Sequence, residues 1–158
     1  MDKPTLYMET TIPSFLLADP SRDLVASGRQ QITRDWWRRD HARFDVFISE
    51  TVREEACRGD RAAAAKRREF LEQFPVLAAN TEVRRLTGLY LEQHIVPAEK
   101  PGDAVHLALT VAHRVQLLCT WNFKHLANAW VLQRLRNLNE KQGLFTPQVC
   151  TPEELLGE

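Results

Sequence analysis

Short apolar segments alternate with helix-like segments from one end of this chain to the other, and that alternation limits the fold more than any other feature. Thr5-Leu6-Tyr7-Met8 reads as a buried strand that Pro13 prevents from continuing. Ser14 to Leu17 reads as a helical turn, and Asp23 as the cap of a helix running to about Arg39. Phe44 to Ile48 is a second strand. Ser49 then caps a helix that Gly59 ends, and Asp60 caps another over Arg61 to Phe74. Pro75 to Ala78 is a short strand, and Thr81 opens a helix to about His94. Pro101-Gly102 reads as a loop before Asp103 to Ala112, a segment apolar nearly all round and so a buried helix. Gln116 to Cys119 is a fourth strand, Phe123 to Leu138 a helix, Gln148 to Thr151 a last strand, and Pro152 to Leu156 a helical turn. Repeated βα units predict an α/β fold: a mostly parallel sheet of four to five strands with helices on both faces.

Composition narrows the class. The 158 residues suit one domain spanning 1–158, with no repeat or flexible linker to divide it. Lys plus Arg and Asp plus Glu are both 21, so net charge is zero and a histone-like mode of nucleic-acid binding is excluded. No apolar run approaches the ~20 residues of a membrane span, and no secretory segment is recognisable, so a cytoplasmic location is expected. Cys57, Cys119 and Cys150 are far apart and form no CxxC pair, which argues against zinc and for free thiols.

In parallel sheets, sites form beyond the carboxyl ends of the strands. Glu9 follows the first strand. The helix carrying Glu50, Glu54 and Glu55 follows the second, Asp103 opens the buried helix, and Asn122 follows the fourth strand. Glu55 lies three after Val52 and beside Ala56, on the inward face, whereas Glu54 lies toward solvent. Glu9, Glu55, Asp103 and the Asn122 carbonyl can therefore meet at one sheet edge, as a set of hard oxygen ligands for Mg²⁺ or Mn²⁺. Without a cation, such carboxylates repel one another and their pKa values rise. Each residue also has a plainer reading. Glu9 can end a strand in solvent, Asp103 can serve the helix dipole, and Asn122 can cap the next helix.

Three segments together resemble the PIN domain family, in its VapC-type toxin branch. They are Tyr7-Met8-Glu9-Thr10-Thr11-Ile12-Pro13-Ser14, Ile48-Ser49 leading to Glu55 and Arg58-Gly59, and Asp103-Ala104-Val105-His106-Leu107-Ala108 followed by Thr120-Trp121-Asn122-Phe123. The resemblance implies a three-layer α/β/α sandwich and a Mg²⁺- or Mn²⁺-dependent endoribonuclease, the toxin of a toxin–antitoxin pair. It places the family's acidic positions on Glu9, Glu55 and Asp103 and its fourth polar position on Asn122, with catalytic and metal-binding roles. It also implies a homodimer and a small antitoxin partner that fills the acidic groove. The family's usual first acid is Asp, and Glu9 is longer by about 1.5 Å, one C–C bond. The fourth position is often Asp, and Asn122 brings one negative charge fewer.

Around these acids, the hydroxyls of Thr10, Thr11 and Ser14 can position a carboxylate or a phosphate, or else cap the helix after Pro13. His106, one turn after Asp103, reads as a packed, hydrogen-bonded residue rather than a ligand. Basic groups occur around Arg34 to Arg43 beside Trp36 and Trp37, at Arg61 to Arg68, and at Lys124, His125, Arg134 and Arg136. They can follow an RNA backbone or be solvated helix faces; Lys124, beside Asn122, is the best placed for phosphate. Trp36 and Trp37 point about 100° apart on a helix, so one ring is expected to be spare for an interface. Two other functions compete: a catalytically weak PIN-like module that binds RNA or protein, and a response-regulator-like domain. The second needs an Asp at a strand end, where this chain has Glu9.

Overall fold

The computed structural model describes residues 2–157, so Met1 and Glu158, the ends of the expected span, lie outside the described residues. Strand β1, Thr5–Met8, buries its last three side chains and is the centre of the sheet. It pairs in parallel with β2, Asp45–Ser49, on one side. On the other it pairs in parallel with β4, Leu117–Cys119. The edges are β3, Val76–Leu77, and β5, Gln148–Cys150, giving the all-parallel order β3-β2-β1-β4-β5. The chain winds outward from β1 to β3, then crosses back to β4. The carboxyl ends of β1 and β4 therefore flank the point where the winding reverses, the usual place for a binding crevice.

Helices cover both faces, completing a three-layer α/β/α sandwich. They are α1, Thr11–Leu17; α2, Leu24–Asp40; α3, Glu50–Ala56; α4, Arg61–Leu71; α5, Thr81–Glu92; α6, Pro101–Ala112; α7, Ala129–Lys141; and α8, Pro152–Leu155. Their starts are set by side chains that accept otherwise unpaired N–H groups. Asp23, Ser49 and Asp60 do this for α2, α3 and α4, as the sequence suggests, and Asn80 and Asn128 do it for α5 and α7. Among the described residues, no helix is long and apolar enough to cross a membrane.

Three helix starts differ from expectation. Helix α1 begins at Thr11 and takes Pro13 into its first turn, where a missing N–H costs no helical hydrogen bond. Helix α6 begins at Pro101, so Pro101-Gly102 is its first turn rather than a loop, and Asp103 sits inside the helix. Helix α7 begins at Ala129, not Phe123. The intervening turn is held by Asn122: its Oδ1 accepts His125 N–H at 3.0 Å, and its backbone carbonyl accepts Leu126 and Ala127 N–H. The tryptophans also differ. Trp36 is fully buried. Trp37 packs edge-on against Phe70 and Phe74 and stacks on His41, so neither ring is spare. The exposed large apolar residues include Leu24, Val25, Phe123 and Trp130 instead.

Gly59 ends the α3 turn at φ 86°, in left-handed space that a Cβ disfavours. Gly88 lies inside α5 with open space around it. The same substitution is thus expected to have opposite signs in urea titrations. Gly59→Ala lowers unfolding free energy by about 1–2 kcal/mol, and Gly88→Ala raises it by about 0.5–1 kcal/mol.

Candidate metal centre

Glu9 extends the β1–β4 ladder by one residue, its N–H donating to the Cys119 carbonyl at 3.1 Å. That backbone bond turns its side chain into the crevice between β1 and β4, where it is only 4% exposed. Three donors converge on Glu9 Oε1: Thr11 N–H at 3.0 Å, Thr11 Oγ1 at 2.5 Å and Thr120 Oγ1 at 2.7 Å. Thr11 and Thr120 are tied in turn to the chain after β4, through Trp121 N–H and Asn122 N–H. Among the described residues, none donates to Glu9 Oε2.

Glu55 repeats the pattern. Its Oε1 accepts Thr10 Oγ1 at 2.6 Å and His106 Nε2 at 2.7 Å. Its Oε2 receives no hydrogen bond from the described residues and lies beside Gly102, where an added Cβ would come within 2.9 Å. Ligand atoms of Glu9, Glu55 and His106 all lie within 4.8 Å of one another, so this cluster could hold a metal ion. Glu54, by contrast, is exposed.

Asp103 and Asn122 sit beside the cluster. Asp103, in the first turn of α6, is 8% exposed, and its Oδ1 accepts Asn122 Nδ2 at 3.3 Å. The Asn122 carbonyl oxygen, expected from sequence as a ligand, accepts His125 N–H, which fixes which end of the amide is oxygen and leaves that oxygen a second lone pair. Asn122 therefore braces Asp103 and its own turn. Thr10 and Thr11 hold carboxylates, whereas Ser14 donates to the Thr10 carbonyl and stays within α1. Lys124 lines the same cleft, an open space of about 860 Å³ with Glu9, Glu55 and Asp103 in its wall.

Of the basic groups, those reaching the cleft are Arg58, Lys100, Lys124 and His125. Arg34 instead donates to the Leu16 and Ala18 carbonyls at the end of α1, and Arg67 to Ala56 and Arg58 carbonyls at the end of α3. These two cap helices, which carry orphan carbonyls at their ends. Arg58 stands in the Arg58-Gly59 segment of the resemblance without an assigned role, and Lys100 is not singled out by the sequence; its neighbour Pro101, which sets the helix start, is the available signal.

Burial and mutual charge shift the ionisable groups of the cleft. Burial pushes the Glu9 carboxyl above its ordinary value, against the pull of His106 and the threonine bonds. Burial also raises Asp103, with Glu55 adding to the effect. Burial acts on Glu55 too, but there the His106 bond and charge, with Thr10 and Arg58, outweigh it and lower the value. Burial alone would lower His106; the Glu55 bond and the charges of Glu9, Glu55 and Asp103 raise it instead.

No family model matches the chain, and no curated protein matches it.

Two outcomes follow for purified protein. His106 has a folded pKa above the ordinary 6.5, so its stabilisation is complete below that value and is lost as pH rises through the folded one. Glu9 and Asp103, also raised, add the same sign, and Glu55 acts oppositely only on the acid side. In EDTA, the melting midpoint is expected to decline from pH 6.5 upward, measured by circular dichroism. Gly102→Ala should leave that midpoint unchanged or higher, since Ala favours a helix. Its Cβ displaces Glu55 Oε2, so Mn²⁺ affinity by calorimetry should fall about tenfold.

Proposed function

We propose that this chain is a divalent-cation-dependent endoribonuclease of the PIN type. One observation carries the proposal. On both Glu9 and Glu55, hydrogen bonds occupy one carboxylate oxygen and leave the other without a donor among the described residues, in a cleft that the buried Asp103 carboxylate also lines. Carboxylates prepared in this way fit a hard cation that takes oxygen ligands and keeps several waters, as Mg²⁺ and Mn²⁺ do. When bound there, such a cation would supply charge for a phosphate oxygen and acidity to a bound water.

The protein's own groups then have separate tasks. Glu9, Glu55 and Asp103 hold the cation. Asp103, in the first turn of α6, would also orient the attacking water or accept its proton. Asn122 acts through Asp103. Lys124, with Lys100, Arg58 and His125, places positive charge around the acidic floor, so a phosphodiester can approach despite the carboxylates. Positive groups beside both Glu55 and Asn122 favour a strand that passes through the cleft, and hence internal cleavage.

The toxin role, the homodimer and the small antitoxin that covers the acidic groove belong to the same proposal and rest on the three sequence segments. The catalytically weak binding module is the second reading. The observation that favours it is Asn122, whose uncharged amide oxygen already accepts His125 N–H and so offers a cation less than a carboxylate would.

The test is RNA cleavage by antitoxin-free protein, over structured and single-stranded RNAs, with Mn²⁺, Mg²⁺ or EDTA. Cleavage is expected to need the metal and to drop by about 100-fold or more in Asp103→Asn. Tight RNA binding without any cleavage selects the binding module. Cleavage that survives both EDTA and the substitution rejects the acidic site as its source.

A further inference from the structure

Glu55 is linked to the base of its own helix by a closed ring of hydrogen bonds through the protein interior. Ser49 Oγ accepts Val52 N–H at 3.2 Å and caps α3. Ser49 Oγ lies 2.7 Å from the Tyr7 hydroxyl, which lies 2.6 Å from His106 Nδ1. His106 Nε2 then lies 2.7 Å from Glu55 Oε1. Val52 and Glu55 both belong to α3, so the path leaves that helix, passes through β1 and α6, and returns one turn later. Tyr7 and His106 are both fully buried, so water does not compete for these bonds.

Hydrogen counting fixes the two ends of the ring. Val52 N–H can only donate, and an ionised Glu55 can only accept. With a neutral imidazole, Nε2 carries the hydrogen, Nδ1 accepts from Tyr7, and Tyr7 accepts from Ser49. Every hydrogen then has one acceptor. With a second hydrogen on the imidazole, the Tyr7 and Ser49 bonds reverse, but Nε2–H still donates to Glu55. Both ring nitrogens are thus committed to protein partners whichever form is present.

We infer that His106 is a positioning residue, not a ligand: its Nε2–H holds Glu55 Oε1 so that Oε2 faces the cation, while Tyr7 and Ser49 fix the imidazole ring. The inference rests on the reading of the cleft as a cation site. Thr10 supplies the second bond to Oε1, and Gly102 leaves room for Oε2 on the opposite side. The carboxylate is held at one oxygen by two donors and left open at the other. Groups that orient a ligand in this way typically change metal affinity by about 10- to 100-fold when removed.

The experiment measures Mn²⁺ binding to the full chain by electron paramagnetic resonance, for the wild type, His106→Leu, His106→Gln and Tyr7→Phe. Thermal melts in EDTA check that each is folded. His106→Leu should weaken Mn²⁺ binding by about 10- to 100-fold. His106→Gln, whose amide can donate from the place of Nε2, should retain most of the affinity. Tyr7→Phe, which leaves Glu55 and His106 in place but frees the ring, should fall between them. Pulsed spectra of bound Mn²⁺ should show no directly coordinated imidazole nitrogen. Wild-type affinity in a folded His106→Leu variant, or a directly coordinated imidazole, overturns the inference. If the expected affinity order holds while no RNA is cut, the nuclease reading fails and this inference stands. If RNA is cut but His106→Leu binds normally, the reverse is true, and a wild-type chain that takes up no Mn²⁺ overturns both.

Discussion

A carboxylate removed from water pays a large solvation penalty unless donors or a cation replace what it lost. Glu9 meets that demand only in part. Three donors surround one of its oxygens, yet burial still raises its pKa. Glu55 and Asp103 share the cleft, so further negative charge lies nearby. A fold seeking only stability does better with apolar side chains at such positions, since buried ionic groups are commonly neutral or costly relative to well-packed hydrophobes. The threonines around Glu9 therefore offset part of that penalty, in a cluster with Glu55 and His106 that could hold a metal ion. Thr11 and Thr120 come from opposite sides of the β1–β4 seam, so the carboxylate is held by the same contacts that join those strands.

The parallel sheet makes this arrangement possible. Because β1, β2 and β4 run the same way, the residues that follow them emerge at one edge. The reversal of winding between β1 and β4 leaves that edge uncovered by a crossover helix. Tyr7 and Glu9 are two apart on β1 and its extension, so both project to the same face. Tyr7 reaches His106 and Ser49 within the core, and Glu9 reaches the cleft. One short strand thus supplies both an acidic group and the anchor for the histidine behind its neighbour.

Most of this fold was legible from patterns of apolar residues and caps. Short buried runs such as Leu6-Tyr7-Met8 and Leu117-Leu118-Cys119 lack room for any other element, and Asp23, Ser49 and Asp60 mark helix starts through chemistry local to a few residues. The missed boundaries depended on details that similar residues share. Pro at position 101 suits a loop and a first helical turn equally well. Asn122 was readable as the start of a helix, but it closes a turn, and Asn128 makes the cap instead. One of the two tryptophans reads as spare because sequence does not show that α4 and the turn after it bring Phe70 and Phe74 to Trp37. Within the candidate site, Glu9, Glu55 and Asp103 were found from strand and helix ends. The assignment of each oxygen was not, because Thr120 and His106 are 111 and 51 residues from the carboxylates they bind.

The placement of Gly102 adds a constraint that neither the acids nor the sheet imposes alone. Helix α6 brings Asp103 into the cleft beside Glu55 through its first turn. Any side chain at position 102 would occupy the space of Glu55 Oε2. Pro101 sets the backbone angle that starts the helix, Gly102 leaves the gap, and Asp103 supplies the charge. The same helix carries His106 one turn later, where it holds the other oxygen of Glu55. Helix α6 therefore governs Glu55 from both sides, by a hydrogen bond at Oε1 and by an absent Cβ at Oε2. A rotation of α6 that improved one relation would damage the other, which ties the position of Asp103 to the orientation of Glu55 through a single rigid element.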